Sequence, residues 1–133
     1  MSLRKNMTKK LDALFTSHQH YYIREKGNVP LATVAVGITK DGESCRGIAI
    51  CSCDEPFSKE EGAKRAYRRL LAAAHRKSND LPINDNLPIA RPSVFRIVFY
   101  HMNPDIELYK SAYDVTLTAE EANILDSRIA VSA

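Results

Sequence analysis

Tryptophan is absent from this 133-residue chain, and cysteine, glycine and proline number only three, five and six. So few glycines and prolines exclude a collagen-like or low-complexity chain, and so few cysteines exclude a disulfide scaffold. An odd cysteine count, in a chain long enough to bury a core without staples, points to a reducing, cytoplasmic setting. No apolar run approaches the ~18–20 residues of a membrane span, which excludes an integral helical membrane protein. The opening Met1-Ser2-Leu3-Arg4-Lys5 has no apolar stretch behind its charges and predicts no secretory signal. Met1-Ser2-Leu3 reads as a cloning remnant, with Met7 as a native start. The sequence also lacks the G-x-S-x-G, Walker, H-E-x-x-H and redox C-x-x-C signatures. What remains is ordinary globular material, 44% hydrophobic and 26% charged, with a formal net charge of +3. That charge permits an anionic partner without demanding one.

Hydrophobic periodicity predicts a single α+β domain over residues 1–133, in the order α-β-β-β-α-β-β-α. A first helix over about Asn6–Thr16 places Leu11, Leu14 and Phe15 on one face. A strand over His20–Lys26 follows, closed by Gly27-Asn28. A hairpin then joins Leu31–Thr39 to Arg46–Cys53. A long helix over Lys59–Lys77 opens on a capping box, Ser58 with Glu61, and carries Ala63, Ala66, Tyr67, Leu70, Leu71 and Ala74 as one stripe. Ser78 to Pro92 is rich in Pro and Asn and reads as an extended, ordered loop. Strands over Val94–Met102 and about Glu107–Leu117 follow, and a second capping box, Thr118 with Glu121, starts a short final helix. The sheet is mainly antiparallel, with the long helix packed across it.

The hairpin register follows from its side chains. A two-residue Asp41-Gly42 loop would send the large residues of the two strands to opposite faces. A three-residue Lys40-Asp41-Gly42 loop, with Gly42 left-handed, pairs Val34 with Ile48 and gathers all the large residues on one face. The other face keeps Ala35, Gly37, Gly47, Ala49 and Cys51, a surface that admits close approach by a helix, a second subunit or a ligand.

Among candidate sites, the long helix stands out. Lys64, Arg65, Arg68, Arg69 and Arg76 fall opposite its apolar stripe, and Lys59 opens it. Clustered Lys and Arg on one face are the footprint of a phosphate binder. The bland alternative is a solvated face. Phe57, just before the cap, has no staple partner because the fourth helical residue is Gly62, so it packs on the sheet or over a ligand. Cys45, Cys51 and Cys53 lack zinc-ligand spacing, and His18-Gln19-His20 lacks a third ligand, so no metal site is expected and the histidines read as exposed linker residues. Asp54, Glu55 and His101 are the only groups offered to a metal-dependent nuclease reading.

Two resemblances attach to the hairpin-helix unit. Leu11–Lys77 resembles the α-β-β-β-α order of double-stranded-RNA-binding domains, with Ser58-Lys59 and Lys64 near that family's lysine cluster. Glu60 and Glu61 stand where that family favours Lys, and Cys51–Phe57 is an added linker. Gly47-x-Ala49-x-Cys51, Asp54-x-x-Phe57-Ser58, Gly62 and Ala66, with Arg68 or Arg69 after, are also similar to small phage proteins, among them the Thoeris-countering nucleotide sponges. That resemblance implies a cytosolic, non-catalytic homo-oligomer in which arginines and an aromatic grip an adenine-containing nucleotide.

The expected function is that of a cytoplasmic binding protein of phage or mobile-element type, with no cofactor and no membrane partner. It engages a phosphate-bearing ligand through Lys59, Lys64, Arg65, Arg68 and Arg69, with Phe57 on a ring. The alternatives are a protein-interaction module or inhibitor acting as a homo-oligomer, through the small-residue sheet face or the Pro-rich loop, and a metal-dependent nuclease.

Overall fold

The computed structural model describes residues 5–25, 29–50, 58–82 and 110–132. The described elements are α1 (Lys5–Leu14), β1 (Phe15–Glu25), β2 (Val29–Thr39), β3 (Ser44–Ile50), α2 (Lys59–Ser78), β4 (Ser111–Tyr113) and α3 (Ala119–Ser132). The fold is α+β, and its sheet is antiparallel in the order β1-β2-β3-β4. The expected strand Val94–Met102 and most of the Pro-rich loop lie outside the described residues, as do Phe57, Asp54, Glu55 and His101. No helix among the described residues is long and apolar enough to cross a membrane.

The hairpin has the register that gathers its large side chains. Val34 faces Ile48, and Gly42 sits at φ +86°. Gly42 N–H donates to Thr39 O at 2.9 Å, and Thr39 N–H to Glu43 O at 2.8 Å, closing the three-residue loop. The two faces of the sheet consequently differ in kind. Tyr21, Ile23, Ala32, Val34, Val36 and Ile48 make one buried cluster with Leu125 of α3. Ala35, Cys45 and Ala49 make another with Leu11 of α1 and Ala63, Ala66, Tyr67, Leu70, Ala73 and Ala74 of α2.

The described part of the small-residue face is therefore covered, by α2 at Ala35, Gly47 and Ala49 and by Phe15 at Gly37, and is not the contact surface for a second protein that its composition allowed. A Cβ on Gly47 would collide with the backbone of Ala66 and Leu70, so the helix backbone lies directly on the strand there. Gly62 performs the same service further along, since a Cβ there would come within 2.6 Å of Thr33 Oγ1. Glycine in a helix costs about 1 kcal/mol against alanine, and the close pass over β2 explains why it is tolerated here.

β1 departs from expectation. The apolar periodicity carries the first helix to Thr16, yet the strand starts at Phe15, directly after Leu14. The pairing with β2 shifts register between Phe15 and Ser17. One extra residue, Thr16, lets Phe15 pack against Gly37 on the α2 side while Ser17 donates to Leu125 O on the α3 side at 3.4 Å. His18 and His20 thus belong to a strand and not to an exposed linker.

The large-residue face holds a buried ion pair. Arg46 Nη2 and Glu121 Oε1 are 2.5 Å apart, with both side chains at most 1% exposed. Arg46 Nε also donates to Oε2 at 2.8 Å, and Arg46 Nη2 to Thr116 O at 3.1 Å. Glu121 closes its capping box as well, accepting from Thr118 N–H at 2.9 Å while its own N–H donates to Thr118 Oγ1 at 3.1 Å. Tyr21 Oη donates to Oε2 at 3.2 Å, and burial together with the Glu121 charge pushes the phenol far above its ordinary pKa. One carboxylate thereby joins the start of α3 to the sheet.

Candidate functional site

α2 is positioned by its cap and its stripe. Ser58 Oγ accepts from Glu61 N–H at 3.3 Å, and the alanine-rich face lies on β2 and β3. This fixes where each basic side chain emerges. Arg65 and Arg68 are exposed, Lys64 and Arg69 are half-buried at the flanks, and Lys59 is exposed at the first turn. The expected basic face is therefore divided among three surroundings.

Lys64 and Arg65 share Glu61, with Nζ–Oε1 at 3.9 Å and Nε–Oε2 at 4.0 Å. Pairs of that length at the surface contribute little. Arg68 forms no ion pair with a described residue. Arg69 turns down to the sheet, where Nη1 donates to Ile48 O at 2.6 Å. Its pKa is lowered by burial first, and then by the neighbouring charges of Arg65 and Arg68. A guanidinium stays protonated regardless, so the shift reflects first the burial of Arg69 against the sheet and second the like charge of Arg65 and Arg68 nearby. Arg76 Nη1 donates to Pro82 O at 2.8 Å, and Lys77 Nζ reaches Asp114 Oδ2 at 2.6 Å, so the far end of the helix is occupied by structural contacts.

Lys59 points elsewhere. Its Nζ lies 5.6 Å from the centroid of the Tyr22 ring on β1, and Arg24 Cζ lies 5.4 Å from the same centroid. Tyr22 belongs to a row of alternate β1 residues, His18, His20, Tyr22 and Arg24, on the α2 side of the sheet. His20 is held at both ring nitrogens, Nδ1 at 2.7 Å from Tyr67 Oη and Nε2 at 3.4 Å from Tyr22 Oη. Its ring meets both tyrosines edge-on, at 5.3 and 5.5 Å. His18 Nε2 bonds Asp12 Oδ1 at 2.8 Å, and its ring lies edge-on to Tyr67 at 6.0 Å. Burial lowers the His20 pKa, so the ring is neutral at pH 7.

The strand expected over His20–Lys26 already holds His20, Tyr22 and Arg24, but not His18. The signal was present as His18-x-His20-x-Tyr22-x-Arg24, a period-two pattern of rings and a cation. The earlier start of the strand, and with it the place of His18, is hidden because no glycine or proline separates the first helix from β1. No group of three or more His, Cys, Asp or Glu among the described residues is placed to hold a metal ion. Cys45 is buried, and its thiol is pushed up to about 12 by burial and by Glu43 and Asp114, which makes it unreactive at neutral pH. Taken together, the described groups suit binding of an anion and of flat rings. Compared with known proteins, the chain matches no family model, no curated protein and no solved structure.

Proposed function

We propose that the protein binds a phosphate-bearing ligand, a nucleic acid or a nucleotide, along the outward side of α2, with Arg65 and Arg68 as its principal contacts and Lys64 and Lys59 flanking them. The observation that supports this reading is the crowding of guanidinium charge on one turn. Arg65, Arg68 and Arg69 stand close enough for the first two to depress the pKa of the third. Glu61 stands 4.0 Å from Arg65, and neither Arg68 nor Arg69 has an ion pair with a described residue. Repulsion of this kind is relieved by an incoming anion, and guanidinium forks match phosphate oxygens two at a time. Arg69, already bonded to Ile48 O, acts as a fixed positive charge beneath the other two.

Fluorescence anisotropy with labelled oligonucleotides at two salt concentrations tests the reading. Binding should weaken steeply with salt, as expected when several phosphates are neutralised. The double variant Arg65→Glu, Arg68→Glu should abolish binding and leave the melting temperature unchanged, because both side chains are exposed. Unchanged affinity in that variant refutes the proposal.

A further inference from the structure

The geometry of β1 points to a subsite for single-stranded nucleic acid, in which Tyr22 stacks on a base and Lys59 and Arg24 take the adjoining phosphates. This rests on the phosphate-binding reading above and narrows it to one ligand class. β1 is one of the two edge strands of the described sheet, so its alternate residues sit beside α2 as well as beneath it, and His18, His20, Tyr22 and Arg24 are all only half-buried. Successive members of that row are ~6.8 Å apart along the strand, two residues of rise. The row therefore runs the length of several nucleotides of an extended strand.

Three features favour that occupant. The rings are set in advance, because His20 is held between Tyr67 and Tyr22 and His18 is held by Asp12, so little ordering is lost on binding. Two cations converge on one ring, and neither Arg24 nor Lys59 has a carboxylate partner among the described residues. A contact between an exposed cation and a ring is weak and readily exchanged for a phosphate. A base that takes the place of one cation on the Tyr22 face leaves that cation beside its own backbone. Finally, a ring flanked by basic groups suits strand binding, since every base offers a π-face and every nucleotide a phosphate. A duplex keeps those faces in its own stack and gains nothing from Tyr22.

The test is anisotropy with a labelled strand of about 12 nucleotides, within the range of known single-strand site sizes, with the same sequence as a duplex, and with adenosine monophosphate as competitor. The strand should bind about tenfold tighter than the duplex, and the mononucleotide should compete poorly. Tyr22→Leu should weaken strand binding about tenfold and leave duplex binding alone, whereas Tyr22→Phe, which keeps the ring, should bind the strand like the wild type. Should Tyr22→Leu fail to fold, the double variant Lys59→Ala, Arg24→Ala should weaken strand binding and flatten its salt dependence by roughly 1.4 in slope, the share of two phosphates. Equal affinity for strand and duplex, a mononucleotide that competes as well as the strand, a folded Tyr22→Leu variant that binds the strand normally, or an unchanged salt slope in the double variant overturns the inference while leaving the phosphate reading in place. Failure of the wild type to bind either strand or duplex overturns both.

Discussion

The two faces of the sheet are closed by opposite means. On the α2 side the strands give up side chains: Gly47 and Ala49 let a helix backbone rest on β3, and alanines fill much of the interface beside Tyr67 and Leu70. On the α3 side the strands keep large side chains, and the covering helix is fastened by a buried charge pair between Arg46 and Glu121. The first interface gains its stability from close dispersion contact, which a single added methyl group disrupts. The second depends on the mutual satisfaction of two ions, each costly to bury alone. A pair of faces built in this way should fail differently when perturbed, and substitutions can measure the difference.

The largest effect is expected at the ion pair. Glu121→Gln keeps an acceptor but strands the Arg46 charge in the core, and should cost about 3–5 kcal/mol in denaturant unfolding. Replacing both partners with apolar residues of similar volume, Arg46→Met with Glu121→Leu, should recover most of that loss. If the double variant is as unstable as the single one, the charge pair is not what fastens α3.

The next effect lies on the opposite face. Gly47→Ala forces α2 away from β3 and should cost about 1–3 kcal/mol, although alanine suits a strand better than glycine. Gly62→Ala should lose stability too, because its Cβ meets Thr33 Oγ1 at 2.6 Å. Thr33→Ala removes that oxygen, which is buried without a hydrogen-bond partner among the described residues, and leaves only ordinary contact. In that background Gly62→Ala should become stabilising by up to about 1 kcal/mol. A thermodynamic cycle of the four proteins checks the reversal of sign.

The smallest effect is a dependence on pH at the margin of the α2 face. Burial lowers the His20 pKa below its ordinary 6.5, so the folded protein holds the ring neutral while the unfolded chain takes up a proton. Stability is therefore kept above pH 6.5 and falls as the pH drops below it towards the folded-state pKa. His20→Gln should flatten the slope of melting temperature against pH between about 6.5 and 5 relative to wild type. An identical slope in the two proteins would show that His20 is not protected from protonation.

The contrast between the faces also shows what could be read from the residues alone. The register of β2 and β3 was legible because one alignment puts Val34, Val36, Ile48 and Ile50 on one side, and Gly42 permits the loop it needs. Both caps and the alanine stripe were legible for the same reason, each being a short pattern with one geometric solution. The burial of Arg46 was less plain, although it shares strand parity with Ile48 and Ile50; a charged residue gives no sign of its interior partner until Glu121 is brought to it from 75 residues away. The basic residues of α2 were legible one by one. Their separation into an outward pair, a sheet-bound Arg69 and a Lys59 turned to Tyr22 depends on where the sheet edges fall, which a helix pattern does not state. The part of β1 that carries His20, Tyr22 and Arg24 was legible as a strand, whereas its start at Phe15, which adds His18, was not, because the helix passes into the strand without a breaking residue.

The span of the Arg46–Glu121 contact bears on the order in which the chain assembles. β1, β2 and β3 follow one another as neighbours, so their pairing closes short loops and proceeds quickly. The contact that seats α3 must close a far longer loop, with a larger entropic cost. Until it does, the guanidinium of Arg46 remains hydrated on one side of a meander whose other side α2 can already cover. Loop-closure entropy therefore predicts that expulsion of that water and arrival of the C-terminal helix follow formation of the meander, so that among the described residues the large-residue face dries late.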